Sequence, residues 1–308
     1  MNTETIARTT RQLIGGLTAY QILQGFFGGL AVLALLFVGV MGVGVGGLGL
    51  DASERAVLGA LTVPFLLLAV AYAALFILSL LVIGWAKGWH ARIRDAALGA
   101  PADPHLQVLR GTLGRWITFY QWLSVVTLAL VLLAVLGGGT LISAIAGASD
   151  LTNGVSSGLV TFFVLIAILL FAVPSVILNW LILASIRRYL NAATDRALGA
   201  PVAVMPAATT VGNWFVFLLV LVGLGLVSQL FGSLAGIAGS FLPSTSDSES
   251  VPLLVTLPSA VFSVLMYVLQ FLLVLWSRTL ALNVAAAFDA RPQAEVPMDA
   301  PTGLRLDK

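Results

Sequence analysis

Six apolar runs govern what this chain can become. They cover about 17–47, 57–84, 116–147, 157–186, 213–242 and 252–281. Each holds roughly 28–32 residues, or about 42–48 Å of α-helix, against a hydrocarbon layer of ~30 Å. None alternates apolar and polar residues with period two, so a membrane β-barrel is disfavoured. Composition agrees: 59% of residues are hydrophobic, 9% are charged and the mean hydropathy is +1.05. A water-soluble domain carries about a quarter charged residues. The expectation is an all-α integral membrane protein with six transmembrane helices in a single domain over 1–308.

The runs come in pairs, because the sequence repeats. Asp95-Ala96-Ala97-Leu98-Gly99-Ala100-Pro101 returns one hundred residues later as Asp195-Arg196-Ala197-Leu198-Gly199-Ala200-Pro201. Upstream, Thr18, Tyr20, Gln21 and Leu23 align with Thr118, Tyr120, Gln121 and Leu123 without a gap. A diverged third copy keeps Gly212, Trp214 and Phe217 opposite Gly114, Trp116 and Phe119. Repetition at a fixed period identifies a supersecondary unit. The expected units are two-helix hairpins over 1–106, 107–207 and 208–290. Each crosses twice and keeps one orientation, so the copies are related by a pseudo-threefold rotation about the membrane normal, or stand in a row of hairpins. The segment 291–308, with Pro292, Pro297, Pro301 and no apolar face, is expected to be a disordered cytoplasmic tail.

Charge sets the orientation. Fourteen of the fifteen Lys and Arg residues fall in the N-terminal arm, the two long connections and the C-terminal segment, leaving Arg55 alone on the other side. Basic residues are retained on the cytoplasmic face, so both termini are expected there. The abundance of Ala, Gly, Val, Leu and Arg suggests a bacterial cytoplasmic membrane. The long first run exceeds the ~7–15 apolar residues of a cleaved leader, so it reads as a first span. The long connections should continue the even helices to Gly-Ala-Pro, where Gly lets a helix end and Pro cannot extend it. Asp103-Pro104 reads as an N-cap followed by a first-turn proline. Asp51 with Glu54, and Ser246 with Glu249, have capping-box spacing. Trp85, Trp89, Trp116, Trp180 and Trp214 are placed as interfacial anchors.

Glycine concentrates in the odd spans. Gly25/Gly29, Gly42/Gly46 and Gly232/Gly236 form G-x-x-x-G pairs, which let helices approach closely in lipid. They are assigned to helix packing, with odd helices expected inside and even helices toward lipid. Gly42, Gly44 and Gly47 also match a dinucleotide fingerprint, but they lie within a span and the acidic partner position holds Leu67. Tyr20-Gln21 and Tyr120-Gln121 are read as boundary anchors.

Chemistry is sparse. No Asp, Glu, Lys or Arg occupies the middle of a span, which argues against ion-coupled transport. Neutral Gln229, Gln270, Asn179 and Tyr72 remain as interhelical hydrogen-bond partners or pore-lining groups. Lys87, Arg92 and Arg94 form a juxtamembrane basic cluster suited to anionic lipid headgroups. The chain has no cysteine and two histidines, His90 and His105, too few ligands for a metal site. No nucleophile elbow, zinc-protease motif or P-loop is present. No catalytic residue, cofactor or nucleic-acid partner is expected. Three two-span units are also the plan of mitochondrial carriers, but their P-x-[DE]-x-x-[KR] signature is absent from the odd spans. The expected partners are anionic lipid, a second copy, or another membrane protein. The leading functional reading is a non-enzymatic membrane scaffold or accessory subunit; the alternative is a channel or facilitator for a small neutral solute.

Overall fold

The computed structural model describes residues 3–44, 52–101, 103–146, 166–241 and 253–291, and all regular structure among them is helical. The helices are α1 (Thr3–Gly44), α2 (Ala52–Ala97), α3 (His105–Ala146), α4 (Ile168–Ala197), α5 (Met205–Phe241) and α6 (Leu253–Asp289). All six are long and apolar enough to cross a membrane. α2 alone has 46 residues, about 69 Å of helix. Large apolar side chains stand exposed along every helix, among them Phe26, Ile77, Leu130, Phe171, Phe231 and Leu265.

The expected helix stops are present in atomic detail. Gly99 (φ +103°) and Gly199 (φ +93°) adopt the left-handed conformation that a Cβ disfavours. Around each, two hydrogen bonds close the last turn: Gly99 N–H to Ala96 O and Ala100 N–H to Asp95 O, repeated by Gly199 to Arg196 and Ala200 to Asp195. These bonds satisfy carbonyls that a bare helix end leaves unpaired. Asp103 caps α3 as its sequence predicts, its Oδ1 accepting from His105 N–H at 2.9 Å. That bond, with Arg92 beside it, holds the Asp103 carboxyl below the usual carboxylate range. α4 opens with a π-helical turn, Ile168–Ala172, in which Val173 N–H reaches back to Ile168 O. Pro174 follows within the first helical turn, where its missing N–H removes a ladder bond.

Each helix packs along its neighbours in the chain, and α6 also packs along α1. The even helices touch one another pairwise as well: α2 with α4, α2 with α6, and α4 with α6. No pair of odd helices does so to a comparable extent among the described residues. Among the described residues the even helices therefore meet one another at the centre, with Ile6 and Leu13 of α1, Leu106 and Leu113 of α3 and Val211 of α5 packed against them. This differs from the expected arrangement with odd helices inside. The reason lies at the Gly-Ala-Pro end. There the even helices present small and aliphatic residues at helical spacing: Ile93, Ala96 and Ala97; Leu190 and Ala193; Leu280, Val284, Ala285 and Phe288. All are buried, and Ala193, Val284 and Ala285 reach 0% exposure.

Among the described residues the paired glycines do not stand at close helix contacts. A Cβ on Gly25, Gly29 or Gly232 would meet nothing within 4 Å. A small residue permits close approach without enforcing it. The real close approaches are elsewhere: Phe76 of α2 lies over Gly28, Tyr267 of α6 over Gly225, and Trp276 of α6 over Gly16. Gly42 and Gly236 are helical but their surroundings, like those of Glu54, lie outside the described residues. Gly46, Asp51, Ser246, Glu249 and the tail 292–308 also lie outside them.

Two hairpins are tied internally by the same bonds. In the first, Lys87 Nζ donates to Gln21 Oε1 at 2.6 Å and Thr18 Oγ1 at 3.4 Å, and Gln21 Nε2 donates to Leu80 O at 3.0 Å. In the second, Arg187 donates to Thr118 Oγ1 at 3.0 Å, and Gln121 Nε2 to Trp180 O at 3.2 Å. Every residue of the second set stands one hundred positions after its counterpart. Gln21 and Gln121 are thus hairpin ties rather than boundary anchors.

Candidate functional site

Two concave regions lie near the Gly-Ala-Pro end. The first is a central cavity of about 220 Å³, enclosed mainly by apolar side chains including Val82, Leu113, Ile186, Val211 and Phe215. Its polar groups are His90, Ser277, Trp89 and Tyr189. Trp89 and Tyr189 come from α2 and α4, one hundred positions apart, and meet edge to face with centroids 5.9 Å apart. Trp89 is also held by its indole N–H, which donates to Thr194 Oγ1 at 3.0 Å. It is 3% exposed, so it belongs to the core and not to an interfacial belt. Helical phase explains this: Trp89 shares a face with buried Ile93 and Ala96.

The second region is an open cleft of about 560 Å³ between α3 and α4, lined by Arg110, Arg115, Thr118, Arg187, Asn191 and Asp195 over the glycines Gly111 and Gly114. Arg187, Asn191 and Asp195 recur every four residues along α4; Arg110, Gly114 and Thr118 do so along α3. Each series therefore forms a stripe on one helix face. Arg110 is ion-paired with Asp195. Three guanidinium groups face one carboxylate, so the cleft is cationic. Sequence reading missed it, although the matched four-residue spacing on two neighbouring helices was the available signal.

The basic cluster singled out by sequence has other employment. Lys87 ties α2 to α1 as described. Arg92 Nε bonds Asp103 Oδ2 at 2.7 Å and Arg92 Nη1 bonds Gly88 O at 3.2 Å. Arg94 pairs with Asp95 at 2.6 Å. These three cations spend part of their donors on hairpin and turn geometry. Among the neutral candidates, Gln229 and Gln270 are placed on α5 and α6, and no hydrogen bond joins them among the described residues. Asn179 is half-buried on α4 and Tyr72 is exposed on α2. A polar contact that does form is Gln24 Nε2 to Ser79 Oγ at 3.0 Å, joining α1 and α2.

Arg291, counted with the tail by sequence, is part of the folded body. Its guanidinium donates to Ala96 O at 2.9 Å and to Ala97 O, the last carbonyls of α2. Arg196 of α4 in turn donates to Phe288 O and Arg291 O, both at 3.1 Å. Cations are favoured at helix C-termini, where unpaired carbonyls carry partial negative charge.

No protein-family model matches the chain, and no curated protein or solved structure matches it either.

Proposed function

We propose that this chain is a multi-pass protein of a bacterial cytoplasmic membrane, with both termini cytoplasmic. In this reading three tandem hairpins surround an axis along the membrane normal. The apolar side chains exposed on every helix support a lipid environment, since soluble monomers rarely expose contiguous patches beyond a few hundred Å². The matched ties of the first two hairpins support the repeat. The one-sided distribution of Lys and Arg supports the orientation.

Within that frame the function favoured is a non-enzymatic scaffold or accessory subunit. One observation carries it: the axis is filled at the Gly-Ala-Pro end by Ile93, Ala193, Val284 and Ala285, each at most 1% exposed. A filled axis without mid-span charges suits a body that packs against others rather than a conduit. The central cavity beside His90 favours the second reading, a facilitator for a small neutral solute held closed at its inner end. Stopped-flow swelling of proteoliposomes with water, urea and glycerol decides between them. The scaffold reading expects rates equal to those of protein-free vesicles. Faster swelling that slows when Ser277→Phe fills the cavity would replace it with the facilitator.

A further inference from the structure

The α3/α4 cleft differs from its counterpart on the first hairpin in ways that bear on a ligand. Where the second hairpin has Arg115 and Asn191, the first has Gly15 and Ala91. Lys87 gives two of its three donors to Gln21 and Thr18, whereas among the described residues Arg187 has a single bond, to Thr118, and Arg115 has none. A guanidinium presents several N–H donors in a planar fork matched to phosphate oxygens. Both arginines therefore hold unused donors beside one open volume. The floor is also clear: a Cβ on Gly111 or Gly114 would meet nothing within 4 Å.

The seam below the cleft continues in a definite order. Trp122 lies seven residues, about two turns, beyond Arg115, and Trp180 lies seven before Arg187, so both stand on the faces that carry the arginines. Their rings meet edge to face at 5.7 Å, and Trp122 is 59% exposed. Exposed Val126 and Ile177 follow. Along the seam the surface passes from cationic to aromatic to aliphatic. A phospholipid passes through the same sequence from phosphate through glycerol to acyl chain.

We propose that the α3/α4 cleft is a binding site for the phosphate group of an anionic phospholipid, with Arg115 and Arg187 as the phosphate donors and Trp122 beside the glycerol region. The proposal rests on the membrane reading above. It has its own point of failure, because dissolution without detergent would defeat the membrane reading whatever the cleft binds.

The test is native mass spectrometry of the full-length protein in detergent, supplied with equal amounts of phosphatidylglycerol and phosphatidylcholine. Wild type is expected to retain one phosphatidylglycerol in preference. Arg115→Gln with Arg187→Gln should weaken retention about tenfold or more, the usual worth of charge-assisted bonds. Arg188→Gln removes one positive charge outside the cleft, next to Arg187 in sequence, and should leave retention unchanged. If the double variant fails to fold, Gly114→Leu fills the cleft without removing charge and should abolish retention equally. Unchanged retention in the cleft variants, or equal loss in Arg188→Gln, overturns the proposal. A last arm adds millimolar inorganic phosphate. Retained lipid supports the phospholipid, whereas complete displacement assigns the cleft to free phosphate and overturns the lipid.

Discussion

At the scale of single residues, backbone conformation and one carboxylate carry definite consequences. Gly99 and Gly199 hold positive φ, so Gly99→Ala or Gly199→Ala should each cost about 1–2 kcal/mol. Gly15→Ala is the control: it lies in a helix with open space around it, and alanine is the better helix former. Thermal unfolding in detergent should show a lower Tm for the first two variants and no loss for the third. Asp103 supplies a pH dependence. Its folded-state pKa is depressed, so its capping contribution is complete above the ordinary carboxylate value of ~4 and fades as pH falls through the lower native value. The Tm gap between wild type and Asp103→Ala should therefore narrow as pH is lowered from about 7 to about 3. A gap independent of pH would show that the carboxylate is not what stabilises this turn. Both features were legible in the sequence, because Gly-Ala-Pro and Asp-Pro act through local backbone chemistry that needs no tertiary partner.

Between elements, sequence said less, and the glycines show why. Gly25, Gly28 and Gly29 are alike as small residues on one helix. Only Gly28 receives a ring, and a methyl group placed there would collide with Phe76 Cε2. Which side of a helix meets a partner depends on how neighbouring helices are rotated, and no local pattern encodes that. Gly28→Val should overpack the α1/α2 seam by about 1–3 kcal/mol, while Gly25→Ala and Gly29→Ala should be neutral. Phe76→Leu in the Gly28→Val background should recover part of the loss; absence of recovery would mean that the seam is not formed by this pair. The same reasoning applies to the α3/α4 cleft. Its two polar stripes were readable separately, but their meeting required knowledge that Thr118 and Arg187 face each other. Lys87, by contrast, was visible as a cation and invisible as a hairpin tie.

At the scale of the whole molecule, the even helices converge at one end and the bonds between them span the sequence. Trp89 to Thr194 joins α2 with α4, Arg196 joins α4 with α6, and Arg291, just past α6, reaches α2. A double-mutant cycle of Trp89→Phe and Thr194→Val should return a coupling of about 0.5–1.5 kcal/mol, the net worth of one buried hydrogen bond. No coupling would place the two side chains apart. Six helices and their pairing into hairpins followed from run length and the hundred-residue register. The meeting of the even helices at the described end did not follow, because glycine content reports where helices are able to approach and aliphatic burial decides where they do.

The Arg291 bonds to Ala96 and Ala97 reach back 195 and 194 positions along the chain. The last carbonyls of the first hairpin consequently wait until the chain has been synthesised through Arg291 before they receive their final donors. Each of the first two hairpins carries its own ties and can zip up as it emerges from the ribosome. The closing latch is thrown only when translation has passed the sixth helix, so a chain cut short before Arg291 leaves biosynthesis with its hairpins made and its assembly unlocked.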